Sequence, residues 1–326
     1  MKRKVIFVQG TQYSGSTFFH MQLANDPHGF ACGEVHGLFW PHKRNHLNRE
    51  CTCGYQPCRV WPQLLPYKAG GFFRGIFELF PEVEFIVDSS KQPFWILYQN
   101  NNLKKQGIDS SNILIWKTPL EFADSMVRKA ELNWADVWLR LHRLYLTEIP
   151  GLRTVRYKDL VGDPHTLETI CETLGIPYFP GKEQYWTKKH CVLGGSKTAK
   201  YHLYEGERST DLYNKTTGMT KEIKHRNIGY APVTDASLQN EVAAVLAADS
   251  RYDDVMRLLD YCDVSNKEFD ESVLREMVKT VQVPQVMVQL KRLRYLLRCA
   301  VGAIRYVNTP RFRKVEENDA QSGVPS

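Results

Sequence analysis

No stretch of the 326-residue chain approaches the uninterrupted apolar length of a bilayer span, which excludes a membrane-spanning helix as its organising element. A secretory leader is not expected, since Met1-Lys-Arg-Lys4 precedes only the short run Val5-Ile-Phe-Val8 before Gln9-Gly10 stops it. Without a leader, disulfides are disfavoured against free thiols, and a cytoplasmic location is expected. No basic and aromatic motif of a nucleic-acid module is present, so no nucleic-acid partner is expected. Charge of one sign is in small surplus: 43 Lys and Arg against 36 Asp and Glu leave +7. That favours anionic ligands or surfaces without setting the chain apart from ordinary soluble proteins. What is abundant is core: 43% hydrophobic residues with 24% charged can fill one large domain, or a domain with an appendage.

A further absence lies in the most informative segment. Gly10-Thr-Gln-Tyr-Ser-Gly15-Ser16-Thr17 follows the apolar run at residues 5–8 with the spacing of the G-x-x-x-x-G-K-[ST] phosphate loop, yet Ser16 stands where the lysine belongs. A strand, a glycine turn and a helix N-terminus still direct backbone N–H groups and a favourable dipole at an anion. The ammonium that supports phosphoryl transfer from a triphosphate is missing. The plainer reading is a glycine turn between strand and helix.

Short apolar runs at Glu84–Val87, Ile113–Trp116 and Arg153–Tyr157 are of strand length. Leu120–Ile149 carries helical periodicity, and a helix opens at Asp163-Pro164 and closes at Gly175. Strands alternating with helices predict an α/β chain of P-loop type, a three-layer αβα fold with a central parallel sheet. Ligands of such sheets sit beyond the carboxyl ends of the strands, so Tyr13–Thr17, Asp88–Lys91 and Lys117–Pro119 are candidate site segments. Asp88 is the one strand-terminal carboxylate suited to Mg²⁺, which keeps a nucleotide triphosphatase or kinase in view.

Cys51, Cys53 and Cys58, with Cys32, His36, His42 and His46 upstream, offer zinc ligands, but C-x-C-x₄-C is not a common paired spacing. Free thiols under an insertion loop are the leading expectation, and no metal is assigned. Cys171, Cys191, Cys262 and Cys299 read as core or incidental positions.

Several of these segments together resemble the PAPS-dependent sulfotransferases, in particular bacterial members and the tyrosylprotein branch. Gln12, Tyr13, Ser14, Gly15, Ser16 and Thr17 resemble the family's 5′-phosphosulfate loop. Ile113-Leu-Ile-Trp-Lys117-Thr-Pro119, with Ser125 eight positions beyond Lys117, is similar to the element that grips the 3′-phosphate. Ala31-Cys-Gly-Glu34 is similar to the segment bearing the catalytic base, and Asp88-Ser-Ser-Lys91-Gln-Pro93 to the lysine-bearing one. Val155-Arg-Tyr157-Lys-Asp-Leu160 with its following helix resembles the tyrosine-bearing strand, and the Cys51–Trp61 stretch resembles an insertion of bacterial members. Gly195 and Lys197 loosely resemble the glycine-rich segment that closes over the nucleotide.

The resemblance implies a sulfotransferase domain over residues 1–263, with the Cys-containing insertion at about 40–70. It implies PAPS (3′-phosphoadenosine 5′-phosphosulfate) as co-substrate, Glu34 as general base, Lys91 as the cation on the transferring group, and no required metal; where Glu34 points away, His36 is the substitute base. The acceptor would be a hydroxyl or amine on a small molecule, carbohydrate, lipid or peptide. Two departures stand out: the family's basic loop residue falls on Tyr13, and its Arg-Asp pair is Lys117-Thr118, which loses the guanidinium fork. Tyr13 makes a non-catalytic protein with the same pocket an alternative.

Residues 264–315 read as a helical C-terminal extension, and 316–326 as a disordered tail. Residues 236–246 and 253–259 look helical. Residues 285–306 combine an apolar stripe with a basic face, which predicts docking on the chain's own domain, with a peripheral membrane contact as the alternative. The oligomeric state is left open.

Overall fold

The apolar run near the N-terminus is the middle of the protein. In a computed structural model, which describes residues 3–41, 51–52, 58, 60–196, 199, 203 and 230–305, strand β1 spans Lys4–Gln9. Its residues Val5–Val8 are buried, as a strand covered on both faces requires. The pleat divides them: Val5 and Phe7 enter one hydrophobic core, Ile6 and Val8 the other.

Helix α1 (Ser16–Leu23) returns the chain to β2 (Gly29–Gly33), and β3 (Phe85–Asp88), β4 (Asp109–Trp116) and β5 (Leu152–Arg156) complete the sheet. Its order is β2-β3-β1-β4-β5, and every neighbouring pair is parallel. The chain leaves β1 toward β2 and β3 on one side and continues to β4 and β5 on the other, so the strand order reverses at β1. This is the place where open α/β sheets bind ligands.

Helices cover both faces, giving the expected three-layer αβα arrangement. One face packs Phe18, Phe19, Met21 and Leu23 of α1 against the sheet, together with helices α8 (Tyr157–Gly162) and α9 (Pro164–Leu174). The other is covered by α2 (His36–Phe39), α3 (Trp61–Leu64), α4 (Lys68–Leu79), α5 (Pro93–Lys105), α6 (Pro119–Val127) and α7 (Trp134–Glu148), joined later by α10 (Ala236–Ala248) and α11 (Arg251–Tyr261). Each large apolar side chain enclosed this way contributes roughly 1.5–3 kcal/mol relative to its exposed state.

The sequence expectations hold locally and fail where contacts decide. Asp163 caps α9 by accepting from the His165 N–H at 2.9 Å, Pro164 takes the first position, and Gly175 ends it at φ 61°. The periodicity over 120–149, by contrast, is two helices. α6 starts at a capping box formed by Thr118 and Glu121, and the chain turns through Ala130 at φ 57° before α7. Tyr157, expected on the third strand, begins α8 instead, with β5 ending at Arg156. β2 was not legible as a strand, since Gly29-Phe-Ala-Cys-Gly33 has glycines at both ends and gains its order from pairing with β3.

Beyond Asp263, Val264, Leu274 and Val281 join the two cores, and α12 (Glu271–Met277) leads to α13 (Gln285–Arg305). Val288, Tyr295 and Cys299 of α13 pack with Phe94 and Leu144, so this helix docks on its own domain. Val286, Leu290, Leu293, Leu297, Val301 and Ile304 remain exposed. Among the described residues no helix is long and apolar enough to cross a membrane. Residues 306–326, which include the expected tail, lie outside the described residues.

Candidate functional site

The loop between β1 and α1 keeps the geometry its glycines predict. Gly15 stands before the first residue of α1 at φ 94°, ψ 3°, and a Cβ there would meet Tyr157 Cδ2 at 2.7 Å. Both the left-handed backbone and the close approach demand glycine. The helix that follows is buried along its whole length; the Phe18 and Phe19 N–H groups donate to Gly15 O at 3.1 and 3.2 Å, which leaves those of Ser16 and Thr17 at its sheltered start. Two hydroxyls share it: Thr11 Oγ1 and Ser14 Oγ are buried and make no hydrogen bond among the described residues. Orphaned buried hydroxyls are costly, and an anion with several acceptor oxygens satisfies them.

Gln12 and Tyr13 are engaged elsewhere. Tyr13, at φ 61°, donates its hydroxyl to Glu131 Oε1 at 2.6 Å, and Gln12 Nε2 donates to Glu131 Oε2 at 2.6 Å. The hydrogen bond to Glu131 raises the Tyr13 pKa to about 12, so the phenol stays protonated. A carboxylate thus holds the loop residue at which a cation was expected.

Beyond β4, Lys117 Nζ donates to Ser125 Oγ at 3.1 Å, the eight-residue spacing having brought them together across the first turns of α6. The ammonium also lies 4.4 Å from the centre of the Tyr157 ring, a cation–π contact. Burial is the main force lowering the Lys117 pKa, and Arg128 adds repulsion. Arg128, paired with Asp124, is a second cation near Lys117 that the sequence reading did not pick out. Tyr157 is the hinge of this cluster, touching Lys117 on one side and the Gly15 backbone on the other.

Beyond β3, Lys91 Nζ and Glu34 Oε1 are 2.8 Å apart, both side chains largely sheltered at 22% and 19% exposure. Lys91 has φ 55°, and its carbonyl accepts from the Tyr145 hydroxyl at 2.7 Å. The same hydroxyl reaches Gly10 O at 3.2 Å, so α7 ties the loop after β1 to the lysine segment. Nothing in the sequence pattern distinguished Tyr145 from other core aromatics on that helix.

Asp88 is not placed for a metal. Oδ1 accepts from the Ser90 N–H at 2.8 Å and from its hydroxyl, and Oδ2 from Trp95 Nε1 at 2.9 Å. Burial raises its pKa to about 7 against the opposing pull of these donors. It is a bracket for the lysine segment. His36 is buried, its N–H bonded to Ser90 Oγ at 3.2 Å. His20, also unanticipated, is fully buried on α1 and lies close enough to Glu34 and Lys91 to feel both charges. Burial lowers its pKa to about 3, so it is neutral.

One segment from the distant part of the chain closes the site. Leu193 donates its N–H to Cys32 O at 3.0 Å and accepts from the Glu34 N–H at 2.7 Å, extending the edge of β2. Gly195 follows so close to Thr17 that a Cβ would meet Thr17 Cγ2 at 2.8 Å, and the Ser196 N–H donates to Thr17 Oγ1 at 2.9 Å. Of the sequence candidates, Ser14–Thr17, Gly195, Lys117, Ser125 and Tyr157 therefore adjoin one loop, with Glu34 and Lys91 linked to it through Leu193 and Tyr145. Lys197 lies outside the described residues.

The same segment carries Cys191, read from sequence as incidental. Its Sγ gathers with those of Cys51 and Cys58, all within 4.8 Å of one another. Cys32 is buried in β2, and Cys53, His42 and His46 lie outside the described residues.

Fold and site together define a three-layer αβα protein with a five-stranded parallel sheet, in which the loop after β1 has the spacing of a phosphate loop without its lysine. No protein-family model matches the chain, and no curated protein matches it. Among solved structures it is similar to a sulfotransferase domain from the curacin biosynthetic pathway, at 16% identity over 76% of this chain and 98% of that one, with a TM-score of 0.40. It is also similar to the sulfotransferase domain of the Synechococcus PCC 7002 olefin synthase, at 17% identity over 76% and 97%, with a TM-score of 0.40.

Proposed function

We propose that the protein is a PAPS-dependent sulfotransferase acting on a hydroxyl or amine acceptor. One arrangement carries the reading: a lysine-less loop bracketed by two separate cations. Tyr145 joins Gly10 of the loop to Lys91, and Tyr157 joins Gly15 to Lys117. A triphosphate presents its charge as one linear run; a nucleotide phosphorylated at both 3′ and 5′ positions presents two charged ends, which suits two stations. The unmet hydroxyls of Thr11 and Ser14 fit the 5′ end, and Lys117 with Ser125 the 3′ end.

The co-substrate supplies a sulfuryl group on a leaving 5′-phosphate. Glu34 takes the acceptor's proton as the acceptor oxygen or nitrogen bonds to sulfur. Lys91, a hydrogen bond away, meets the charge that builds on the sulfonate and on the bridging oxygen as its bond to sulfur breaks. Ser14–Thr17 hold the departing phosphate through hydroxyls and helix N–H groups. These roles call on no metal, and the engagement of both Asp88 oxygens weakens a kinase or NTPase reading.

The test is turnover of labelled PAPS with a cell extract, the labelled product being identified by mass. Glu34→Gln and Lys91→Ala are each expected to lower transfer about 10²–10⁴-fold with the melting temperature little changed. Near-normal turnover in either removes that residue from the mechanism. A second reading, a non-catalytic protein with the same pocket, is favoured by the Tyr13–Glu131 contact. It predicts nucleotide binding without any labelled product.

A further inference from the structure

Three thiols that are far apart in sequence meet at the junction of the insertion and the 190s segment. Cys51 and Cys58 come from the insertion and Cys191 from the stretch before Leu193, and each pair of Sγ atoms lies within 4.8 Å. Their surroundings differ from those of the other cysteines: Cys32, Cys171, Cys262 and Cys299 are buried, whereas these three are half-buried. A thiol that merely fills a core has no reason to gather with two others at a boundary. A disulfide would use two and leave the third beside it, and none of the three is in a disulfide.

The dimensions suit a tetrahedral ion. Zinc binds thiolate at about 2.3 Å, which sets sulfur atoms about 3.8 Å apart around a tetrahedron. A cluster bounded at 4.8 Å reaches that with small side-chain rotations. The frame around the thiols is already fixed. Trp61 Nε1 donates to Cys51 Sγ at 3.3 Å, the kind of outer hydrogen bond that orients a metal ligand. Thr52, next to Cys51, bonds the 190s segment three times: its hydroxyl donates to His190 O and accepts from the Val192 N–H at 3.0 Å, and its own N–H donates to Val192 O at 3.3 Å. Cys51 itself pairs with Leu193 in an antiparallel bridge.

We propose that Cys51, Cys58 and Cys191 supply three thiolates to one Zn²⁺ whose fourth position is filled by water, a site that fastens the Cys51–Cys58 stretch to the 190–193 segment. Binding releases the thiol protons to solvent and involves no redox change. The assignment is independent of the reaction at Glu34 and Lys91. Its structural effect nonetheless reaches that site, because Leu193 holds the Glu34 backbone and Gly195 lies on Thr17.

The test uses the full chain, purified with a thiol reductant and without chelator. Elemental analysis is expected to find about one zinc per chain, and Cys191→Ser to bring zinc to background, while Cys299→Ser retains it. In parallel, the reduced wild-type chain stripped of metal and titrated with Co²⁺ should develop thiolate-to-cobalt charge-transfer absorption and tetrahedral visible bands. This readout stands if the cysteine variant fails to fold. Removing zinc should also lower the melting temperature, since a ligand that binds only the folded chain stabilises it. The proposal is overturned by a wild-type chain with no zinc and no cobalt spectrum, by undiminished zinc in Cys191→Ser, by iron in place of zinc, or by an intact mass that shows a disulfide among these residues.

Discussion

Replacing Tyr145 with Phe removes a single oxygen and tests how the site is held together. The ring is fully buried, and Phe fills the same space, so no cavity forms and the change is confined to hydrogen bonding. The hydroxyl donates mainly to Lys91 O at 2.7 Å, with Gly10 O a longer second acceptor at 3.2 Å. Losing one neutral hydrogen bond costs about 0.5–1.5 kcal/mol, and leaving a buried carbonyl unpaired about 1–3 kcal/mol. Only one strong bond is at stake, so the expected loss of unfolding free energy is about 1–3 kcal/mol. In domains of 150–250 residues that corresponds to about 2–4 °C per kcal/mol in melting temperature. Burial holds the Tyr145 pKa far above its ordinary value, so the phenol is a donor throughout the workable pH range and the loss should not vary with pH. Denaturant titration of both proteins gives the stability term, and PAPS turnover the functional one, where loosening Lys91 against the loop should lower the rate beyond what the stability loss explains. Equal stability of the two proteins would refute the tie. Equal turnover with reduced stability would refute its role in the site.

Lys117→Ala should erase the preference for 3′-phosphoadenosine 5′-phosphate over AMP and ATP; a charge-assisted contact contributes about 1.5–3 kcal/mol, or roughly ten- to a hundredfold in affinity by calorimetry. An unchanged preference would move the 3′-phosphate elsewhere. Stability should fall as pH drops below about 6.5. Burial holds His20 at about 3 and His142 and His190 at about 4, so the folded protein refuses protons that the unfolded chain accepts; their stabilising effect is complete above the ordinary histidine pKa and lost on the way down to these values. Asp88, raised to about 7, works in the opposite sense between about 4 and 7 but is one group against three. A denaturation midpoint that stays flat from pH 7 to 5 would contradict the buried neutral histidines. The exposed stripe of α13 lies beside Lys291, Arg292, Arg294 and Arg298, and this charge favours an anionic membrane as its partner. The full chain should float with phosphatidylserine vesicles at low salt, and the double variant Leu293→Glu, Leu297→Glu should not; no flotation of the wild type removes the membrane contact.

Much of the frame could be read from local chemistry. The continuous apolar run of β1, the Pro and Gly that bound α9, and the residues after the strands that bring Lys91 and Lys117 to one edge all depend on neighbours in sequence. What escaped depends on partners far away. β2 owes its strand to β3, and Cys191 its significance to Cys51 and Cys58, more than a hundred residues earlier. Tyr145 and His20 are ordinary in pattern, since an aromatic on an amphipathic helix reads as core whether or not its polar atom has work to do. The helical periodicity read over 120–149 holds, but nothing in it marked where the stretch divides in two. Its break at Ala130 releases Glu131, which takes both Gln12 and Tyr13.

The short stretch from His190 to Ser196 meets Thr52, then the Glu34 backbone, then Thr17 at the start of α1, in that order along the chain. It works as a crossbeam, and a crossbeam transmits as well as supports. Removing the contacts that Thr52 makes, far from the loop in sequence, would free one end of the beam and let the other end drift from Thr17. An engineer who wishes to alter the proposed nucleotide site can therefore begin at the cysteines, without touching a residue of the loop itself.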